Sequence, residues 1–292
     1  MPILRAAWWR RALRRPAPAR DDGRATLQPV LTLFTVPKPF VGRIGEIQRR
    51  AVASWTALGD GAQVLLLGDE PGTAEAAADT GAEHVVDLAR TEHGTPRLDA
   101  AFGAADRAAR HELRCFVNAD VILFDDLPAA AERVAASSDR FLIVGQTLDV
   151  DEAATRADAL ARGRRRGAAA LDYFVFPSRL YLGVPPFAIG RACFDNWLVW
   201  RARQGAIVVD ATADVVAAHQ RHDYAHVAGG KAEAYYGEEA ARNLELAGGK
   251  GHLYTLHDAS HVLRGGRLRR NPGAPLRWRE NVRKAGWKLG VR

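Results

Sequence analysis

Cysteine and long hydrophobic runs are scarce in this 292-residue sequence, and each scarcity excludes a class of protein. The two cysteines, Cys115 and Cys193, are too few for a disulfide framework and lie in apolar stretches typical of buried thiols in a reducing compartment. No apolar run approaches the roughly 18 residues that a membrane-spanning helix needs. The N-terminus shows no apolar stretch with a small-residue cleavage site. We therefore expect a cytoplasmic protein.

Basic residues are concentrated at both ends of the chain. Residues 1–24 carry seven Arg against two Asp, and residues 264–292 carry ten basic residues against one Glu. The middle of the chain therefore has a net charge of −7, although the whole chain has +7. Basic tails suit an anionic surface, and two solvated ends are the alternative. We predict basic tails over 1–25 and 264–292 that make peripheral membrane contact in preference to nucleic acid, with a folded domain over 26–263.

The first half of the chain alternates short apolar strands with helices. The strands are predicted at 30–36, 63–67, 84–86 and 115–117. Between them, apolar residues recur at the spacing of an amphipathic helix. Fully apolar strands joined by helices are typical of a mostly parallel sheet covered on both faces. The sequence therefore predicts an α/β fold with such a sheet.

The second half of the chain is less periodic. Strands are predicted at 171–177 and 207–210, and a charged, exposed helix is predicted over 151–167. Four arginines, Arg162 and Arg164 to Arg166, lie near the end of that helix. We expect them to face water, and contact with a phosphate group is the alternative.

The tripeptide Asn118-Ala119-Asp120 follows one apolar run and precedes another, Val121 to Phe124. Open α/β sheets bind their ligands at the carboxyl ends of the strands. A carboxylate there can bind Mg²⁺ or Mn²⁺, and such a cation can bridge the phosphates of a diphosphate. The alternative is an acid that caps the next turn. Asp120 is therefore a candidate metal ligand.

Three histidines, His219, His222 and His226, lie close together in a polar stretch. Imidazoles with a nearby acid suggest zinc, but their spacing matches no closed zinc motif and no cysteine accompanies them. A single histidine that completes the Asp120 site is the more economical prediction. His219 follows the apolar residues Val215 to Ala218 at a predicted strand end, so we select it as the second metal ligand.

Asp195 lies at the predicted start of a helix, between Phe194 and Trp197. An acid in aromatic surroundings can act as a general base toward a sugar hydroxyl, and Trp197 can offer a stacking face. The alternative is an N-cap above an aromatic core.

Residues at other strand and helix ends are candidates for nucleotide binding. Thr35, Val36 and Lys38 end the first strand and can line a nucleotide pocket. Asp69 ends the second strand, where an acid can bind a ribose hydroxyl or a base edge; simple turn chemistry is the alternative. Arg97 precedes a helix and can receive a phosphate, and a plain helix start explains that segment as well.

Four segments of the chain resemble GT-A glycosyltransferases, in particular a little-characterised subgroup of these nucleotide-diphospho-sugar transferases. The segments are Asn-Ala-Asp-Val-Ile-Leu from 118, Asp-Tyr-Phe-Val-Phe-Pro from 172, Pro-Pro-Phe-Ala-Ile-Gly-Arg from 185 and Phe-Asp-Asn-Trp-Leu from 194. The resemblance covers roughly residues 31 to 226. It implies a GT-A Rossmann-like α/β fold and a hexosyltransferase-like activity. The expected reaction moves a sugar from a nucleotide-diphosphate donor to an acceptor hydroxyl with Mn²⁺ or Mg²⁺.

The resemblance also implies roles for individual residues. Asn118-Ala119-Asp120 stands in the place of the Asp-x-Asp metal motif of the family, His219 in the place of its late metal-binding histidine and Asp195 in the place of its acceptor acid. The first acid of the motif is here Asn118, which we retain as a substrate-binding candidate. One fewer charge predicts weaker metal binding.

Asp172 and Trp197 are expected to line the acceptor side of this site. A second function of a different class is a non-catalytic GT-A-like binding module that its basic tails tether to a membrane or to nucleic acid. Asn118 is the residue that favours this alternative, because it removes an acid from the metal motif.

Overall fold

The computed structural model describes residues 31–59, 61–151, 155–222 and 229–273. Its strands are β1 (Leu31–Thr35), β2 (Ala62–Leu67), β3 (Glu83–Val85), β4 (Leu113–Val117), β5 (Val121–Leu123), β6 (Phe141–Val144), β7 (Leu148–Val150), β8 (Arg164–Arg165), β9 (Tyr173–Pro177), β10 (Ile207–Asp210), β11 (Ala217–Gln220), β12 (His261–Arg264) and β13 (Arg267–Arg270). Its helices are α1 (Gly42–Thr56), α2 (Thr73–Thr80), α3 (Leu98–Ala108), α4 (Asp126–Ala135), α5 (Arg156–Arg162), α6 (Phe194–Arg203), α7 (Gly230–Tyr236) and α8 (Glu238–Leu246). The predicted N-terminal tail, His226 and residues 274–292 lie outside the described residues.

The large sheet has the strand order β13-β12-β10-β6-β9-β4-β1-β2-β3 within the described residues. Five of its neighbouring pairs are parallel: β1 with β2 and β4, β2 with β3, and β10 with β6 and β12. Helices connect these strands, as parallel pairs require. The predicted α/β fold with a mostly parallel sheet is therefore confirmed.

Strand β9 runs antiparallel to both of its neighbours, β4 and β6. Its first residues therefore lie at the edge where the parallel strands end. Asp172 immediately precedes β9 and Asn118 immediately follows β4, and the amide of Asn118 donates to the carbonyl of Asp172 (2.9 Å). This reversal places two predicted site residues side by side.

The small sheet has the order β5-β11-β7-β8 within the described residues. His219 of β11 is the register partner of Val121 on one side and of Asp149 on the other. Asp120 directly precedes Val121. The pairing of three short strands thus aligns one carboxylate, one imidazole and a second carboxylate across the sheet.

Alternate residues of the central strands pack on opposite faces of the large sheet. Leu33 of β1 lies on the face that Trp55 of α1 covers. Phe34 lies on the other face, where its ring centroid is 5.3 Å from that of Phe102 on α3. Full burial of one such side chain contributes roughly 1.5–3 kcal/mol. Both faces are therefore apolar, which explains why these strands show no polar alternation in the sequence.

Two boundaries differ from those predicted. The helix predicted over 151–167 ends at Arg162, and β8 follows. Gly163 packs so closely that a Cβ there would lie 2.4 Å from the Ala159 carbonyl oxygen and 2.8 Å from the Leu148 Cβ, so the chain turns onto β7. The large sheet continues to Arg270, past the domain boundary predicted at 263.

None of the helices in the described part of the chain has the length and apolar content needed to cross a bilayer.

Candidate metal centre and active site

Asp120 lies in the bend between β4 and β5. The amide of Val121 donates to the carbonyl of Asn118 (3.2 Å), so the tripeptide forms a turn. The carbonyl of Asp120 accepts from the amide of Gln220 at the end of β11 (3.1 Å). The Asp120 side chain is buried in this bend. The turn and the end of β11 are thus held together next to a buried carboxylate.

Two imidazoles approach the Asp120 carboxylate. His222 Nε2 lies 2.9 Å from Oδ2, and His219 Nε2 lies 3.9 Å from Oδ1. Oδ1 is buried and accepts no hydrogen bond from the described residues. One ligand atom from each of the three residues lies within 4.8 Å of the others. The three side chains could therefore hold a metal ion, and His222 joins the two predicted ligands.

The charge of Asp120 is maintained by its neighbours. Burial on its own would raise the pKa of this carboxyl group. The positive charge of Lys38, followed by the hydrogen bond from His222 and the charges of both histidines, outweighs burial and holds the pKa below its ordinary value. Lys38 Nζ lies 3.4 Å from Asp120 Oδ2. The carboxylate is therefore ionised, as a metal ligand must be.

Arg166 and Asp172 form a second polar group beside the first. Arg166 Nη1 donates to Asp172 Oδ2 (2.6 Å), and Arg166 Nε lies 3.5 Å from Asp149 Oδ1. Thr147 donates to Asp172 Oδ2 (2.6 Å), and the Asn118 side-chain amide donates to Asp172 Oδ1 (3.0 Å). Both carboxylate oxygens of the buried Asp172 thus accept hydrogen bonds, and Asp172 is the ion-pair partner of Arg166. The expectation that Arg166 faces water is wrong, because these two carboxylates hold it inside the cluster.

The cluster fits a divalent cation in charge and in ligand chemistry. Its three carboxylates, Asp120, Asp149 and Asp172, exceed its two basic side chains, Lys38 and Arg166, by one negative charge when the imidazoles are neutral. A divalent cation would change this net charge to +1, which suits an anionic ligand. One carboxylate and two imidazoles favour a transition metal over Mg²⁺, which prefers oxygen ligands.

Asp195 is the second residue of α6 and is electrostatically linked to the same cluster. Burial raises the pKa of Asp195 to about 7, the amide of Asn196 opposes this shift, and the neighbouring Asp172 carboxylate adds to it. Cys193, the N-cap of α6, has φ 92°, a conformation that residues with a side chain rarely adopt. Strained backbone of this kind is found disproportionately at functional sites. The raised pKa gives Asp195 a proton affinity suited to proton transfer near neutral pH.

Helix α8 fixes the loop that leads to Asp195. Asn243 is buried; its Oδ1 accepts from the amide of Ala188 (2.9 Å), and its Nδ2 donates to the carbonyls of Ala188 (3.0 Å) and Ala192 (3.1 Å). One turn earlier, Glu239 pairs with Arg191 (2.9 Å). These bonds satisfy backbone groups of the loop that precedes α6. We refer to Glu239 and Asn243 as the α8 clamp.

The remaining predicted residues lie at the places expected from the strand ends but have other contacts. Thr35 is buried at the end of β1, and Val36 packs on the core beside it. Asp69 is exposed after β2 and pairs with Arg90 (2.5 Å). Their roles in binding nucleotide stay predictions.

Arg97 and Trp197 also have structural partners. Arg97 lies at the start of α3 and pairs with Asp99 (2.6 Å). Trp197 is 6% exposed, and its ring centroid lies 5.2 Å from that of Phe187. This burial leaves little of the indole ring for stacking on a ligand, so the structure places Trp197 in the aromatic core below Asp195.

No protein-family model matches the sequence, and no curated protein matches it. Solved structures similar to this chain include residues 1–349 of TarS from S. aureus, with a TM-score of 0.41, 12% identity, and coverage of 66% of this chain and 58% of that one. They also include glucosyl-3-phosphoglycerate synthase from M. tuberculosis, with a TM-score of 0.46, 16% identity, and coverage of 75% and 81%. This chain spans less than two thirds of the TarS chain.

Proposed function

We propose that the chain is a GT-A-type glycosyltransferase that moves a hexosyl group from a nucleoside-diphosphate sugar to an acceptor hydroxyl. The observation that carries the proposal is the Asp120, His219 and His222 group at the carboxyl edge of a mostly parallel sheet, next to an acid with a raised pKa. The resemblance of four sequence segments to GT-A enzymes supports it. Cytoplasmic location and membrane contact through the basic tails stay predictions.

On the donor side, Asp120, His219 and His222 would hold a divalent cation, and the two imidazoles favour a transition-metal ion such as Mn²⁺ over Mg²⁺. Such a cation, when bound, stabilises the negative charge that develops on a departing diphosphate. The chain itself contributes the buried carboxylate and the two imidazoles that would bind the cation. Thr35, Val36 and Asp69, at the ends of β1 and β2, are the proposed contacts of the nucleoside.

On the acceptor side, Asp195 would act as the general base of an inverting transfer. Its carboxylate takes the proton of the acceptor hydroxyl while the oxygen forms a bond to the sugar C1. The bond from C1 to the diphosphate breaks, and the diphosphate leaves with the electron pair. Arg166 and Asp172 both act electrostatically on Asp195 and so help to set its proton affinity.

A direct test compares Asp120→Asn with the wild-type chain in a panel of UDP- and GDP-sugars with Mn²⁺. Release of nucleoside diphosphate is measured, and donor binding is followed by titration calorimetry. Asp120→Asn removes the negative charge of a proposed cation ligand, so the cation would bind less well and stabilise the departing diphosphate less. We expect turnover to fall by ~10²-fold or more. Asp125→Asn, a nearby exposed acid, is the matched control and should keep wild-type turnover.

The outcomes of this test are distinct. Turnover by Asp120→Asn equal to wild type, in a folded variant, would contradict the role of Asp120. Failure of the wild-type chain to bind any nucleoside-diphosphate sugar would contradict the glycosyltransferase proposal. Donor binding without hydrolysis or transfer to any acceptor would identify a binding module instead.

A further inference from the structure

Lys38 contacts two of the three side chains that could hold the cation. Its Nζ lies 3.4 Å from Asp120 Oδ2 and 3.4 Å from His222 Nε2. The Lys38 side chain is 27% exposed, whereas that of Asp120 is 8% exposed. The ammonium group therefore lies at the boundary between the buried cluster and the open side of the site.

Gln48 of α1 fixes the main chain of Lys38. The amide of Lys38 donates to Gln48 Oε1 (2.7 Å), and Gln48 Nε2 donates to the Lys38 carbonyl (2.8 Å). Gln48 is fully buried. Gly45, one turn earlier, lets α1 approach this loop, because a Cβ there would lie 2.5 Å from the carbonyl carbon of Phe40. The main chain that carries the Lys38 side chain is thus held in place by α1.

The ammonium of Lys38 and a divalent cation would compete for the same atoms. Asp120 Oδ2 and His222 Nε2 lie 2.9 Å from each other, and both are candidate ligand groups. Two positive charges at such separations repel strongly when they are partly desolvated. Once Asp120 and His222 serve as ligands, the ammonium needs another anion on the open side of the cluster.

We propose that Lys38 is a diphosphate-binding residue that neutralises Asp120 when no cation is bound and pairs with the phosphate oxygens of a bound nucleoside diphosphate. The proposal rests on the function proposed above and names a phosphoanhydride as the ligand of this side chain. A lysine ammonium is a compact charge with three donors and is a common phosphate ligand. Asn118 in place of an acid leaves less negative charge to oppose such an anion.

The test uses Lys38→Met in the full chain. Titration calorimetry measures UDP and GDP with Mn²⁺, uridine and guanosine as ligands without phosphate, and Mn²⁺ alone. Loss of one charge-assisted contact predicts about tenfold or more weaker binding of the nucleoside diphosphate, with nucleoside binding unchanged. Mn²⁺ alone should bind more tightly to the variant, because the competing charge is gone. Lys231→Met, which removes an exposed ammonium on α7, is the matched control.

Lys38→Arg, which keeps the charge, should retain most of the affinity for the diphosphate, and thermal unfolding checks that each variant is folded. Wild-type affinity of folded Lys38→Met for the nucleoside diphosphate would overturn the assignment of Lys38 alone. Weaker binding of Mn²⁺ alone by this variant would overturn the proposed competition. If the wild-type chain binds neither UDP nor GDP with Mn²⁺, the proposed function fails and this inference fails with it.

Discussion

His219 Nδ1 lies 2.8 Å from Asp149 Oδ1, and the two residues are register partners on adjacent parallel strands. A carboxylate at Nδ1 favours the tautomer that carries its proton there, which leaves the lone pair of Nε2 directed to the Asp120 side. The same imidazole is 3.9 Å from Asp120 Oδ1. Asp149 therefore holds His219 in the tautomer and orientation that its proposed role as a ligand requires.

Asp149→Asn should weaken the binding of Mn²⁺ by about 10- to 100-fold, because the imidazole loses the carboxylate that orients it. Titration calorimetry with Mn²⁺ measures the effect directly. Asp151→Asn is the matched control, since Asp151 lies two residues further on, is exposed and pairs with Arg221. Equal affinities of the Asp149→Asn variant and wild type would show that His219 needs no orienting partner.

The turnover rate should depend on the ionisation of Asp195, whose pKa burial raises to about 7. Below that pH the carboxyl group is protonated and cannot accept a proton, so kcat should rise with pH and level off above about 7. Asp195→Asn should lower kcat by roughly 10²- to 10⁴-fold while donor binding persists. A pH profile of kcat measures this dependence, and a rate that is flat between pH 5 and 8 would exclude Asp195 as the base.

The same acid should make stability depend on pH. An Asp in the unfolded chain ionises near pH 4, whereas Asp195 in the folded chain holds its proton up to about pH 7. Its contribution to stability is therefore present at low pH and is lost as the pH rises through 7. Asp195→Asn should raise Tm relative to wild type by about 2 °C or more at pH 8, and less at pH 5. Asp139→Asn, at an exposed position, should show no such pH-dependent difference in Tm.

Asn243→Ala should disrupt the α8 clamp. The substitution leaves the buried amide of Ala188 and two carbonyls without their partners, and each such group costs roughly 1–3 kcal/mol. Denaturant unfolding should report the lower free energy of unfolding. Arg242→Ala, at the adjacent exposed position, should change stability little. A variant as stable as wild type would mean that the loop before Asp195 holds its conformation by itself.

The parallel part of the fold follows from local patterns in the sequence. Strands β2 and β4 each end in a continuous apolar run, at 64–67 and 115–117, next to amphipathic helices, and both features can be recognised within a few residues. The small sheet could not be predicted in this way, because β7 and β8 contain three and two residues and gain stability only by pairing with distant segments. Its existence depends on contacts that no short window of sequence contains.

The predicted site contains Asp120 and His219 because Asp120 precedes a recognisable strand and His219 follows an apolar run. His222 lies in the same polar stretch, but only the structure shows that its imidazole contacts Asp120. Arg166 belonged to a run of arginines, which is the usual pattern of a solvated surface. Its partners are Asp149, in the middle of β7, and Asp172, which precedes β9, so their pairing becomes visible only once β7 and β9 are placed.

The support of this site by two separate sheets has an evolutionary consequence. His219 lies on β11 of the small sheet and Asp120 lies in the bend between β4 and β5, whereas Asp195 stands on α6, which packs on β6 and β10 of the large sheet. Substitutions in and before α6 can therefore alter the preferred acceptor while every cation ligand stays unchanged. On the proposed function, descendants of this chain would keep one sugar donor and diversify in the hydroxyl compounds that they glycosylate.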